Sequence, residues 1–280
     1  MLGVGYDIKA DRICISFSPT YHTKGRGGTE TSVHLSHQDI AQIREGQGRS
    51  AASYVMGHYN PLGLTLPISM RTKLLLRKSH VASESWDQEI PNDIKREWGG
   101  LIGELQEAGT VFFPRSVVPG TAAANQPILV GFGDGSTIGF AAMIYTVWPR
   151  DTGGAVVNLI IAKSKVAPAA GMTVPRTEMS VAALMARLML LDLHSSGFKA
   201  AEVVMALDLE CSVAALQKAH GLLRPFFVHR SAEVHEALRK MRRLCKQVLP
   251  VVAIRGTQNR ADIATRGRAM VADISPESRW

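Results

Sequence analysis

The spacing of hydrophobic and polar positions changes twice along the chain. The opening GVGYDIKADRICISFSP alternates in steps of two around a polar break at Ala10-Asp11, which predicts two strands joined by a turn. Residues 22–50 are polar and glycine-rich and read as a loop followed by a short helix. YNPLGLTLPISMRTKLLLRKS then gives a proline-punctuated turn and a basic amphipathic helix, and NDIKREWGGLIGELQEAG gives a second helix interrupted at Gly99-Gly100. Up to about residue 115 the pattern is therefore mostly helical. TAAANQP, residues 121–127, reads as a linker, and beyond it the steps of two return.

Strands are predicted at 128–134, 138–147 and 155–163, close enough in sequence for tight turns and an antiparallel arrangement. A long helix follows at about 178–193, then a strand at 202–208, helical stretches at 211–220 and 231–247, a strand at 248–256 and a short helix at 261–266. Strands that return after helices run parallel. The second half is thus expected to be an α/β fold, a mixed five-stranded sheet with flanking helices.

Composition narrows the function class. A length of 280 residues suits one large or two ordinary domains, and 46% hydrophobic residues can build a core. The formal charge of +8 favours an acidic partner, nucleic acid foremost, although a basic protein with no such partner fits the charge equally. Cys14, Cys211 and Cys245 are odd in number and far apart, which suggests neither a disulfide framework nor a metal knuckle and points to a reducing, intracellular compartment. The opening residues lack the basic start and apolar core of a secretory signal, and MSVAALMARLMLLDL is short and interrupted by Arg187 and Asp192, so no membrane association is expected.

The chemistry is carried by acids. Asp134 closes the apolar run ILVGFGD, where a carboxylate is costly unless it is paired, hydrogen-bonded or bound to a metal. Asp208 closes EVVMALD in the same way, and ligand sites of α/β sheets gather at strand ends. Glu178 stands at the start of the long helix, followed by Ala182, Met185 and Met189 at spacings of four, seven and eleven, which puts it on the apolar face. Asp262 lies in the last short helix, within NRADIATRG. Each has an ordinary alternative: a first-turn acid for Glu178, turn chemistry for Asp134, an N-cap for Asp208 and a surface helix acid for Asp262. Four acids gathered at one sheet edge with no evident nucleophile would need cations. Oxygen ligands suit Mg²⁺ or Mn²⁺, and two such ions can drive phosphodiester hydrolysis.

GDGS followed by GFAAMIY, then PRTEMSVAALMA, ALDLECSVAAL and IRGTQNRADIATRG, resemble the ribonuclease H fold with its acids in order, over about residues 126–268. More narrowly, LGVGYD, YNPLGLTLPISMRTKLLL, WDQEIPNDIKREW, IIAKSKVAPAAGMTVPRTEM, FFVHRSAEV and NRADIATRGRAMVADISPESRW are similar to the polyprotein of Pao/BEL long-terminal-repeat retrotransposons. That resemblance implies a reverse transcriptase remnant at 1–125 (palm end, then a mostly helical thumb and connection region), a ribonuclease H-like domain at 126–268 and a tail or linker at 269–280. It implies that Asp134, Glu178, Asp208 and Asp262 are catalytic and bind two Mg²⁺ or Mn²⁺ ions. The implied partners are an RNA–DNA hybrid and the reverse transcriptase palm and fingers and the integrase of the parent polyprotein, in the cytoplasm or in virus-like particles. The polymerase's Tyr-X-Asp-Asp signature is not in the chain, so DNA synthesis is not expected of it alone. The chain departs from the family pattern at Gly256-Thr257, where relatives have a histidine, at Leu207 and Leu209 around Asp208, and at Gly133, where Ser or Thr is usual.

In HEALRKMRRLCKQV, Leu238, Met241, Cys245 and Val248 share one helical face, with Arg239, Lys240, Arg242, Arg243 and Lys246 elsewhere. That basic set is either a solvated face or a phosphate-tracking edge, with Arg176, Arg224, Arg230 and Arg255 as further nucleic-acid candidates. A hybrid held by backbone charge and 2′-hydroxyls would be bound with weak sequence preference and strong salt dependence. Two other function classes remain at this point. One is a catalytically inactive nucleic-acid-binding connection module. The other is an aspartic peptidase, prompted by Asp134-Gly135-Ser136, although peptidase loops read Asp-Ser/Thr-Gly to build their carboxylate pair.

Overall fold

The computed structural model describes residues 4–17, 20–24, 30–34, 48–58, 60–83, 85–120, 126–168, 170–218 and 222–274. The short helix expected before residue 48, most of the linker and the end of the tail lie outside these residues. Two compact units emerge: Met1–Pro61 with Thr65–Arg115 and Gly267–Trp280, and Leu62–Leu64 with Ser116–Arg266.

In the first unit, β1 (Val4–Asp7) and β2 (Arg12–Ser16) pair antiparallel as the alternation implies. A two-stranded antiparallel ribbon, β3 (Thr20–Lys24) with β4 (Glu30–His34), stands where the polar pattern reads as loop. Its strand signal is β-branched and aromatic content, TYHTK and ETSVH, rather than hydrophobic alternation. Three helices follow: α1 (Gly48–Gly57), α2 (Leu66–Ala82) and α3 (Asn92–Ala108). The expected break at Gly99-Gly100 does not occur. Neither glycine faces a neighbour, and the cost of about 1 kcal/mol each is offset by burial of Ile94, Trp98, Leu101, Ile102 and Leu105 on the other side. Strand β5 (Thr110–Pro114) then pairs with β2 and completes a three-stranded sheet.

The C-terminal residues belong to this unit too. Arg71 donates to the Ala269 carbonyl at 3.1 Å and to Glu104 at 2.7 Å, Glu104 accepts the Val271 N–H at 2.9 Å, and Ala269 and Ile274 are buried.

The second unit begins with an antiparallel meander, β6 (Ile128–Gly135), β7 (Gly139–Pro149) and β8 (Ala155–Val166). Helix α4 (Val174–Ser195) leads to β9 (Glu202–Leu207), which lies parallel to β6. After α5 (Glu210–Gln217) and α6 (Pro225–Met241), the short strands β10 (Gln247–Val248) and β11 (Val252–Ala253) both run parallel to β9, and α7 (Asp262–Thr265) ends the unit. The sheet order is β10-β9-β6-β7-β8, with β11 also on β9. This is the expected mixed sheet with flanking helices, its last strand split in two. Pro250, lacking an N–H, lies between the two pieces. Helix α6 starts and ends about six residues earlier than the apolar spacing suggests, because Pro225 supplies a favoured first helical position and residues 242–244 turn away after Met241.

How α4 meets the sheet sets the geometry that follows. Gly131, Gly133 and Gly135 alternate along β6 and so share one face. A Cβ on Gly131 would meet Met185 and Met189, one on Gly133 would meet Val181, and one on Gly135 would meet the backbone of Thr177 and Glu178. The three glycines thus form a trough in which α4 lies unusually close to the strand, and Met179, Val181, Met185 and Met189 are fully buried there. Among the described residues no helix is long and apolar enough to cross a membrane.

A three-carboxylate candidate metal centre

Strand register brings the first two acids together. Gly133 is paired with Leu207 in the parallel β6–β9 ladder, so the next residue of each strand, Asp134 and Asp208, falls at the same carboxyl end of the sheet. Glu178 comes to them on α4, and its Oε1 accepts the Gly135 N–H. One carboxylate oxygen from each of Asp134, Glu178 and Asp208 lies within 4.8 Å of the others.

The ordinary alternatives for these three acids do not hold. Helix α4 starts at Val174 with Pro175 in its first turn, which carries no acid, so Glu178 is beyond the reach of the helix-end charge argument. Asp134 lies inside β6, and Ser136 makes the turn instead, with its N–H on the Gly139 carbonyl at 2.8 Å and its hydroxyl on the same carbonyl at 3.0 Å. The residue capping α5 is Leu209, not Asp208, and makes no side-chain cap bond.

The cost of the cluster shows in its protonation. Burial pushes Glu178 up to about 9, and the charges of Asp208 and Asp134 add to it, against the Gly135 N–H. Burial likewise pushes Asp134 up to about 6; the Thr265 hydroxyl opposes the rise, and the charges of Asp208 and Asp262 reinforce it. Glu178 is fully buried, and among the described residues its Oε2 has no hydrogen-bond partner. Buried carboxylates in mutual repulsion, one with a lone oxygen turned to no donor, form the donor set of a hard divalent cation, so the residues present fit Mg²⁺ or Mn²⁺.

Asp262 is near without being one of the three. Its carboxylate is held by the guanidinium of Arg266, one turn on, with Nε at 2.8 Å. Its charge still reaches Asp134. Arg266 in turn feels Asp134 and Asp208 as well as Asp262, which makes it a cation beside the cluster that the sequence reading passed over.

The supports of the site were also passed over. Asn259, buried at 6% exposure, donates from Nδ2 to the Gly133 carbonyl at 2.9 Å and accepts the Ala261 N–H at 3.1 Å, which ties the approach to α7 onto β6. The Thr265 hydroxyl donates to Asp134 Oδ2, and the Thr265 carbonyl lies 3.3 Å from Ser136 Oγ. These are polar residues in a polar stretch, and no period marks them. The alternating glycines of GFGDG were the one visible signal of close helix approach.

The basic candidates fall into separate places. Arg176 at the start of α4 and Arg230 on α6 both approach the Phe226 ring, at 5.4 and 5.7 Å from its centroid, and Arg230 also pairs with Glu233 at 2.9 Å. Arg224 precedes α6 and is exposed. Arg239 and Lys240 both turn to Glu236, while Arg242 and Arg243 are exposed in the turn after α6. Arg255 lines a cavity of about 470 Å³ beside Asp208, together with Glu210, Cys211 and Gly256.

No curated protein matches the chain. Among solved structures it is similar to ribonuclease H1 from the halophilic archaeon Halobacterium salinarum NRC-1, at 13% identity and a TM-score of 0.31, covering 49% of this chain and 90% of that one. It is also similar to LC11-RNase H1, solved in complex with an RNA/DNA hybrid, at 20% identity and a TM-score of 0.34, covering 49% of this chain and 91% of that one. The family model of the Pao retrotransposon-like RNaseH-like domain matches residues 47–208, more than half of the chain and inclusive of Asp134, Glu178 and Asp208, and the chain belongs to that family.

Proposed function

We propose that this chain is a metal-dependent endonuclease that hydrolyses the RNA strand of RNA–DNA hybrids, as part of a retrotransposon reverse transcriptase polyprotein. The observation that carries the reading is the convergence of Asp134, Glu178 and Asp208 with a buried, unpartnered Glu178 oxygen. Membership of the retrotransposon family supports it.

In this reading Asp134, Glu178 and Asp208 hold Mg²⁺ or Mn²⁺, with Asp262 as the fourth acid of a two-ion site. Ions held there would supply activation of the attacking water and positive charge for the leaving oxygen. The chain's own residues do the rest. Gly135 orients Glu178 through its N–H, and Arg266 tempers the negative charge of the cluster. Arg255, which lines the cavity beside Asp208, meets a backbone phosphate in this reading, and Arg176, Arg224, Arg230, Arg239, Lys240, Arg242 and Arg243 track the rest of the duplex. A hybrid is recognised by its shape and its 2′-hydroxyls, so sequence preference is weak. Residues 1–125 are the end of the reverse transcriptase, and the palm, fingers and integrase of the same polyprotein are the partners.

The reading is tested with a hybrid labelled separately on each strand, incubated with Mg²⁺, with Mn²⁺ and with chelator. The RNA strand alone should be cut, only with a metal, leaving 3′-hydroxyl and 5′-phosphate ends. A folded chain that binds the hybrid and cuts under neither metal would sink this reading in favour of an inactive binding module.

A further inference from the structure

We propose that Thr265 is a positioning residue, whose hydroxyl locks the carboxylate of Asp134 in the orientation that a divalent cation requires. The inference rests on the endonuclease reading of the acid cluster, and it concerns a residue outside the acid set.

Three observations carry it. Thr265 is fully buried, and its Oγ1 donates to Asp134 Oδ2 across 131 positions of sequence. The same Oγ1 lies 3.1 Å from the Asp262 carbonyl, but a hydroxyl has one proton to give, and the charged carboxylate is the stronger acceptor. Thr265 is itself held in place: the segment leading into its short helix is fixed to β6 by the Asn259–Gly133 bond at 2.9 Å, and its carbonyl lies 3.3 Å from Ser136 Oγ in the turn after β6. The donor is therefore held rigidly with respect to the strand that bears the acceptor.

The need for such a lock follows from the torsion it controls. Rotation of an aspartate carboxylate about its last bond is broad and roughly two-fold, with no deep staggered well to hold it. Ligands from three separate elements must keep their positions to about 0.5 Å if they are to share an ion. Fixing Oδ2 with one buried donor leaves Oδ1 as the oxygen available to the cluster. Neighbouring Gly133 has no side chain and so offers no hydroxyl. The donor comes instead from α7.

The test compares the native chain with Thr265→Val, which keeps the shape and removes the donor, and Thr265→Ser, which keeps the donor. Mn²⁺ binding is measured by calorimetry without substrate, hybrid cleavage is resolved into kcat and KM, and folding is followed by thermal unfolding. Thr265→Val should bind Mn²⁺ about 10- to 100-fold more weakly and lose kcat to a similar extent, with KM for the hybrid unchanged. Thr265→Ser should stay within about 3-fold of native, since hydroxyl donation survives. If Thr265→Val does not fold, Thr265→Ala carries the same comparison. Native-like Mn²⁺ binding by the donor-free variant overturns the proposal, as does a Thr265→Ser variant as impaired as Thr265→Val, which would assign the effect to packing. A native chain that neither binds Mn²⁺ nor cuts removes the endonuclease reading itself, and this proposal with it.

Discussion

Glu178→Gln is expected to abolish hybrid cleavage and, in the same protein, to raise the melting temperature of the metal-free chain at pH 8. The two effects share one cause. Glu178 is buried beside Asp134 and Asp208, and its carboxyl is pushed up to about 9 from an ordinary 4.5. Between those two values folding takes up a proton, so the contribution of this residue to stability falls as pH rises from about 4.5 to about 9 and is lowest above that. Asp134 adds a fall of the same sign between 3.8 and about 6. Glutamine does not titrate and can still accept the Gly135 N–H, so the decline from pH 6 to 9 should flatten in the variant. Mg²⁺ or Mn²⁺ should stabilise the native chain at pH 8, by about 3 kcal/mol at a hundredfold excess over its dissociation constant, and the variant by far less. Loss of a ligand from a site that acts as a unit should cost roughly 1,000-fold or more in turnover. Melting curves at pH 5, 6, 7, 8 and 9, with and without Mn²⁺, check the first half, and a cleavage time course checks the second. A variant that melts with the native pH dependence would show that Glu178 does not bear the strain assigned to it.

Gly135→Ala is expected to disable the site through packing alone. A Cβ at this position would stand 2.7 Å from the Glu178 nitrogen and 2.8 Å from the Thr177 carbonyl carbon. Both are helix backbone atoms and cannot yield without moving α4 and the carboxylate it carries. Gly131→Ala is the control, because its Cβ would meet the sulfurs of Met185 and Met189 at 2.7 and 2.8 Å, the far ends of flexible side chains. Overpacking costs about 1–3 kcal/mol, and Gly135→Ala should fall at the upper end, with Mn²⁺ binding and cleavage reduced about 100-fold or more, as when ligand geometry is lost. Gly131→Ala should lose stability while keeping most of its activity. Thermal unfolding beside Mn²⁺ calorimetry on both variants makes the comparison; equal losses in the two would mean that helix approach at Gly135 does not space the acids.

These effects also mark which parts of the molecule can be read from sequence. Asp134 and Asp208 stand out because each closes a run of apolar residues, a local signal that period-two alternation makes plain. Their adjacency depends on the pairing of Gly133 with Leu207, a relation 74 residues long that only the register of the sheet supplies. Glu178 is legible by its apolar helical face, but its distance from the helix end is not, since Val174-Pro175 opens α4 a full turn before the apolar spacing begins. Asn259 and Thr265 act on β6 from 126 and 131 positions away, and a buried polar contact of that span has no local pattern. The β3–β4 ribbon lies in a polar stretch with no hydrophobic alternation to mark it, and the last strand, expected as one run over 248–256, is divided at Pro250.

The most direct measurement compares the native chain with Asp134→Asn on an end-labelled RNA–DNA hybrid, at equal folded concentration, in Mg²⁺, in Mn²⁺ and in chelator. The native chain is expected to cut the RNA strand only when metal is present, and Asp134→Asn is expected to fold, bind the hybrid and leave it intact. Cleavage by Asp134→Asn at the native rate, or native cleavage that persists in chelator, would contradict a metal site built on Asp134, Glu178 and Asp208.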